Sequence, residues 1–122
     1  MPDKKEGRYF EGGAYRDTNN GKPDYEGYLS PLVIERFGEY MLSHQTQSDG
    51  NIRESDNWQK GIPMKEYMKS GWRHFFDWWK CHRQMQKQPQ GYNSSFLAEA
   101  LCALMFNVMG YLHELLKLQG RE

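Results

Sequence analysis

Between Asp56 and Trp79 the chain sets amide, ammonium, guanidinium, imidazole and carboxylate groups among large flat rings. The segment Asp56-Asn57-Trp58-Gln59-Lys60-Gly61-Ile62-Pro63 is followed by Arg73-His74-Phe75-Phe76-Asp77-Trp78-Trp79. A bound nucleotide would use each of these groups. A ring can stack on the base, an amide can hydrogen-bond the base or sugar, and cations can neutralise phosphate oxygens. Asn57, Trp58, Lys60, Arg73 and His74 are therefore candidate ligand contacts. Each also has a plainer reading. Arg73 and Asp77 are i, i+4 neighbours and can bridge on a helix surface for tenths of a kcal/mol. His74 can be a hydrogen-bonded core histidine, and Trp58 can simply fix its loop.

Three carboxylates elsewhere could hold a divalent cation. Glu35 and Glu39 stand at i, i+4, which sets both on one helix face and suits a divalent cation with oxygen ligands. The same spacing suits a solvated face, where Arg36 would compete as a partner. Glu99 and Asn107 lie about 80° apart around a helix, two turns along one side, with Gly110 leaving room for close approach. Glu99 is a candidate metal ligand or a partner for Arg73. Alternatively it is an ordinary ion pair near a helix start, where negative charge is favoured. No phosphate loop, CxxC pair, HExxH or nucleophile elbow occurs in the sequence.

The elements that must position these groups are helical. Ser30-Pro31 reads as a cap and first helical residue, and Leu32, Val33, Phe37, Tyr40 and Met41 then recur at helical spacing. That helix should end near Ser43 or His44. Residues 45–61 show no periodicity and form a long loop, which in a compact domain is more often functional than accidental. A second helix restarts at Pro63. Met64, Met68, Trp72, Phe75 and Trp79 form its apolar stripe, which predicts Trp72 and Trp79 in the core. It fades through a Gln-rich linker, Gln84 to Gln90.

A third helix runs from a cap at Ser94 or Ser95 to about Leu118. It is apolar almost all round between Phe96 and Leu112, as a central buried helix would be. Residues 1–28 hold turn chemistry with scattered aromatics, an irregular segment expected to pack on the body and to fray over its first few residues. The expectation is one all-α domain spanning 1–122, a compact bundle of three main helices with no β pattern and no repeat. Three such helices cover a fully apolar central helix poorly. Either the amino-terminal segment or another subunit must complete the cover, so a homo-oligomer is expected.

At 122 residues the chain is the size of one domain. Eight Tyr, six Phe, four Trp and seven Met supply its bulky apolar area. The 16 basic and 16 acidic residues cancel to a formal charge of +0. That balance argues against a polymeric nucleic-acid partner, which normally meets a basic excess. Cys81 and Cys102 lack metal-ligand spacing and read as free thiols of a reducing compartment. Met1 to Arg8 is charged with no apolar signal core. The stretch Ala100 to Met109, broken by Asn107, falls short of a bilayer span. A cytoplasmic protein without a membrane partner is expected.

In these residues the chain resembles the phage and bacterial dATP/dGTP diphosphohydrolase, N-terminal domain family. The resemblance rests on Arg16-Asp17 with Lys22, Ser30-Pro31-Leu32, Asp56-Asn57-Trp58 with Lys60-Gly61 and Pro63, Arg73-His74 with Trp78 or Trp79, and the late Glu99-Ala100 and Asn107. It covers roughly residues 12–115. It implies an all-α domain in the style of MazG-type nucleotide pyrophosphatases, in which carboxylates on adjacent helices hold Mg²⁺ on a triphosphate. Water then attacks to release a nucleoside monophosphate and pyrophosphate.

On that resemblance Arg16, Lys22, Asn57, Trp58, Lys60, Arg73 and Asn107 would contact the nucleotide. Glu99, Asp77 and His74 would serve catalysis, and Glu35, Glu39 and Glu99 would hold Mg²⁺ or Mn²⁺. The activity implied is hydrolysis of purine deoxynucleoside triphosphates, remodelling a nucleotide pool in the host cytoplasm if the chain is phage-encoded. Family members commonly carry an acidic run between the Arg-His helix and the last helix. Here that stretch reads Lys80-Cys81-His82-Arg83-Gln84-Met85-Gln86-Lys87-Gln88, which has no carboxylate and favours holding anions over metals. A non-catalytic protein that sequesters a nucleotide or nucleotide signal is the alternative reading, and a structural or interaction module is the second.

Overall fold

A computed structural model of the chain describes residues 7–121, and these are mostly helical, 61%, with four helices and a small two-stranded sheet. The chain divides into two compact units, Met1–Pro31 and Leu32–Glu122.

The first unit opens with an antiparallel hairpin, β1 (Gly7–Tyr9) and β2 (Tyr15–Asp17), in the register Gly7↔Asp17, Arg8↔Arg16, Tyr9↔Tyr15. Its turn closes through the Phe10 N–H to the Ala14 carbonyl and the Gly13 N–H to the Phe10 carbonyl, both 2.8 Å. The Tyr9 and Tyr15 rings meet at 4.9 Å, a cross-strand aromatic pair of the kind that steadies short hairpins. This corrects the expectation of no β structure. Strands of three residues are too short for an alternating pattern to register. A single helical turn follows, α1 (Tyr25–Tyr28), where Asp24 Oδ1 accepts from the Gly27 N–H at 3.1 Å. The expected fraying of the first residues lies outside the described residues.

In the second unit the long helices begin and end for local reasons. Helix α2 (Pro31–Ser43) opens on the expected proline. Helix α3 (Met64–Lys87) starts one residue after Pro63. It stops at Gln88, which is extended at φ −139° and ψ 84°, because the following Pro89 disfavours a helical predecessor. Helix α4 (Ser94–Leu118) is capped by Asn93 rather than by a serine, with Asn93 Oδ1 accepting from the Phe96 N–H at 3.0 Å. It closes through Gly120 at φ +81°. The Arg121 N–H reaches the Leu116 carbonyl and the Gly120 N–H the Lys117 carbonyl, both at 2.9 Å. That pairing is the Schellman arrangement, which needs a left-handed residue.

Helices α3 and α4 form an antiparallel hairpin. Tyr67 packs against Gly110, where an added Cβ would overlap its ring and stand 2.6 Å from its hydroxyl. A Cβ added at Gly71 would stand at ordinary contact distances, 3.7 Å from Asn107 and 3.9 Å from Leu104. The covered positions of α4 are accordingly small or polar: Ala100, Cys102, Ala103, Asn107 and Gly110. Tyr67 is the one large buried residue among those described, at 3% exposure. Its hydroxyl, like Glu114 Oε1, is buried without a hydrogen-bond partner among the described residues.

Two core expectations are corrected here. Trp72 is 66% and Trp79 48% exposed, because Tyr67 and Gly71 meet α4 and the Trp stripe runs beside that seam. Helix α4 is not enclosed either, since Val108 is 59% and Leu112 48% exposed. Periodicity shows that a face seeks cover, not which element supplies it. The helix that contains the Ala100–Met109 stretch is longer than that stretch, and it has a length and composition that core helices of soluble proteins also reach. The whole of Ser94–Leu118, 25 residues with a window of mean hydropathy 1.5, meets both length and composition for a span.

Candidate functional site

Asn57 and Trp58 line a pocket of about 370 Å³ in the second unit. Its walls are the end of α2 with Tyr40, Met41 and His44, the loop residues Arg53 to Trp58, and Phe106 of α4. The loop expected to be irregular is internally tied. Thr46 and Ile52 form an isolated antiparallel bridge, turned by Gly50 at φ +87°, with Asp49 Oδ1 accepting from the Asn51 N–H at 2.9 Å. Arg53 is clamped back onto α2. Its N–H reaches the Gln45 carbonyl and its Nη2 donates to the His44 carbonyl, both at 2.8 Å. This donation satisfies a carbonyl left open at a helix end and adds a cation where the helix dipole favours one.

The aromatic walls are equally fixed. The Tyr40 and His44 rings lie 4.2 Å apart. Trp58 stands edge-on to His113 at 4.8 Å and to Phe106 at 6.2 Å. Of the two roles open to Trp58, the packing supports anchoring the loop, with part of its ring left as pocket wall. Burial raises the Tyr40 pKa, Glu99 and, once ionised, the Cys102 thiol add to the rise, and Arg53 opposes it. Tyr40 therefore keeps its proton and can donate.

The other expected contacts fall elsewhere. Lys60 is exposed at the end of the 3₁₀ turn Asn57–Lys60. Arg73, His74 and Asp77 share a shallow open depression on α3 with Trp72 and Phe76. Asp77 lies 3.9 Å from Lys80. Asn107 is buried in the α3–α4 seam, where its Nδ2 donates to the Ala103 carbonyl at 2.8 Å, so one of its amide N–H groups is used within its own helix. Arg16 and Lys22 are exposed residues of the first unit.

The metal set is not assembled. Glu99 Oε1 accepts from Arg36 Nη2 at 2.9 Å, and Glu39 stands within electrostatic reach of the same guanidinium. Arg36, not Arg73, is thus the partner of Glu99. A protein cation is already paired with one of the acids that were to hold Mg²⁺ or Mn²⁺. Glu35 lies exposed on α2, and no group of three His, Cys, Asp or Glu among the described residues could hold a metal ion. Glu35, Glu39 and Glu99 do not fit a divalent cation. Cys102 offers no ligand in their place, since burial pushes its thiol pKa up and its Sγ points at the Arg36 carbonyl, 4.0 Å away.

His74 has its pKa lowered by burial, with Asp77 opposing and Arg73 and His44 adding to the fall. The folded chain therefore holds the ring neutral where the unfolded chain, with the ordinary histidine value of 6.5, binds a proton. Stability from this group is complete above about pH 6.5 and is lost as pH falls toward the lowered folded value. Thermal unfolding followed across this range should show the loss in the wild type and a shallower one in His74→Gln. Equal slopes would remove His74 as its source.

Tyr40, His44, Arg53 and Phe106 were not singled out from the sequence. The i, i+4 spacing of Tyr40 and His44 at a helix end was a readable signal. Arg53 carried none, because its position depends on a bridge between two residues of an aperiodic loop. Comparison with protein-family models, curated proteins and solved structures finds no match to this chain.

Proposed function

We propose that this protein binds a nucleotide in the pocket between α2 and the 45–61 loop and holds it without cleaving it. The observation that carries the reading is the pocket's composition. The rings of Tyr40, Trp58 and Phe106 meet Arg53, His44 and Asn57 around one cavity of about 370 Å³, within the usual range for small-molecule sites. The rings offer a base apolar walls, Asn57 offers both donor and acceptor, and Arg53 has guanidinium N–H groups beyond the one bonded to His44. The resemblance in Asp56-Asn57-Trp58 supports the same ligand class. Since the carboxylates do not assemble for a metal, no hydrolytic step is derived.

The test is a calorimetric panel of purine and pyrimidine nucleoside mono-, di- and triphosphates, ribo and deoxy, with and without Mg²⁺, each recovered afterwards by chromatography. Saturable binding with intact recovery is expected. Pyrophosphate release in Mg²⁺ or Mn²⁺ would replace sequestration by the hydrolysis that the family resemblance implies. No heat and no thermal shift with any nucleotide would overturn the reading in favour of a structural or interaction role.

A further inference from the structure

Helix α4 has three faces. Small residues on one meet α3, and Phe106, His113, Glu99 and Cys102 on another meet Trp58 and Arg36. The third is left half-open beside the seam with α3. Val108, Leu112 and Leu115 there adjoin Met68, Trp72 and Phe75 of α3, lining one groove of about 550 Å³. Their exposures are 59, 48, 37, 51, 66 and 47% in that order. Side chains of this size leave on the order of 600 Å² of apolar surface open. That stands at the upper end of the roughly 300–600 Å² of the largest patch on a monomer and approaches the roughly 800 Å² per partner of a stable interface.

We propose that this groove is the dimer interface, occupied by the same face of a second copy of this chain. The argument for a second copy is the distribution of the core. Among the described residues no side chain is fully enclosed, and the buried apolar set is Tyr67, Ala100, Cys102 and Ala103. The large apolar residues are on the outside of the hairpin, the reverse of a self-sufficient fold. A cover needed for stability must be present whenever the chain is made, and its own copy meets that condition. Two antiparallel hairpins joined face to face make a four-helix bundle. A face set against its own copy is isologous, so a two-fold axis closes such an assembly at two copies. The nucleotide pocket opens on a different side of α4, so pairing leaves it accessible.

Sedimentation of the wild-type protein over a wide concentration range should give twice the chain mass of 14.5 kDa. Trp72→Glu with Val108→Glu should sediment as a monomer, or fail to fold for want of the cover. Trp72→Ser keeps the proposal testable in either case. In a monomer this exposed residue is nearly neutral to replace. In the dimer its loss lowers Tm and weakens pairing about tenfold or more. The wild-type Tm should also rise with chain concentration, as it does when folding and association are linked. A wild-type monomer throughout would overturn the proposal. So would a dimer that both variants leave unchanged, which would place the interface elsewhere.

Discussion

Gly110→Ala should lower the Tm by about 10 °C, although alanine is the better helix former. Two effects oppose each other at this position. Removing glycine from a helix interior contributes about 1 kcal/mol of stability. The added Cβ, however, would overlap the Tyr67 ring, and that ring is the one large side chain held at the α3–α4 seam. The obstacle is the rigid body of an aromatic, not the end of a flexible chain. Relief therefore requires α3 to move off α4 or Tyr67 to leave its rotamer. Overpacking of this kind costs about 3 kcal/mol at its usual upper end. The net loss is about 2 kcal/mol, or about 10 °C for a unit of this size.

The double variant Gly110→Ala with Tyr67→Leu identifies the cause. If the clash is the mechanism, the second change should recover part of the loss, a coupling that independent sites do not show. Additive losses, or a Tm unchanged in Gly110→Ala alone, would mean that the seam is looser than drawn.

That seam also marks what could be read in the residues. Helices α2, α3 and α4 were legible because proline openings, apolar periodicity and the proline after α3 are local signals, and each boundary fell within a residue or two. Which face of α3 meets α4 was not legible. Tyr67 and Gly71 are less apolar as a pair than Met68 and Trp72, yet close approach needs a glycine opposite a small residue. A bulky stripe is then left for something else to cover. The same difficulty divided the candidate site. Asn57 and Trp58 came to a shared pocket because a short loop carries both. Glu99 went to Arg36 because pairing across 63 residues is decided by packing that no spacing rule encodes, while Asn107 donates to the Ala103 carbonyl one turn back in its own helix. The hairpin escaped notice for the opposite reason, its strands being too short for any period.

Arg53→Ala should weaken nucleotide binding by about 10- to 100-fold, the loss of a charge-assisted contact of about 1.5–3 kcal/mol. The residue has two jobs, and the prediction must separate them. One guanidinium N–H is committed to the His44 carbonyl at 2.8 Å, tying the loop to the end of α2. The remaining N–H groups and the charge are available to an anionic ligand. Alanine removes both functions. Lysine keeps the charge but loses the planar fork that lets one side chain hold a carbonyl and an anion together.

If the charge acts on the ligand, Arg53→Lys should retain a substantial share of the affinity, and the remaining loss should shrink at high salt. If the clamp matters most, lysine should bind as poorly as alanine. Amide exchange in residues 45–53 should then quicken equally in both variants, reporting the opened bridge. Tyr40→Phe is the companion measurement, since it removes one hydroxyl from the same wall without touching the clamp. It should cost about tenfold or less. Wild-type affinity in Arg53→Ala would exclude this pocket as the ligand site whatever the panel of nucleotides had shown. Any binding would then have to be traced to the Arg73–Asp77 depression on α3.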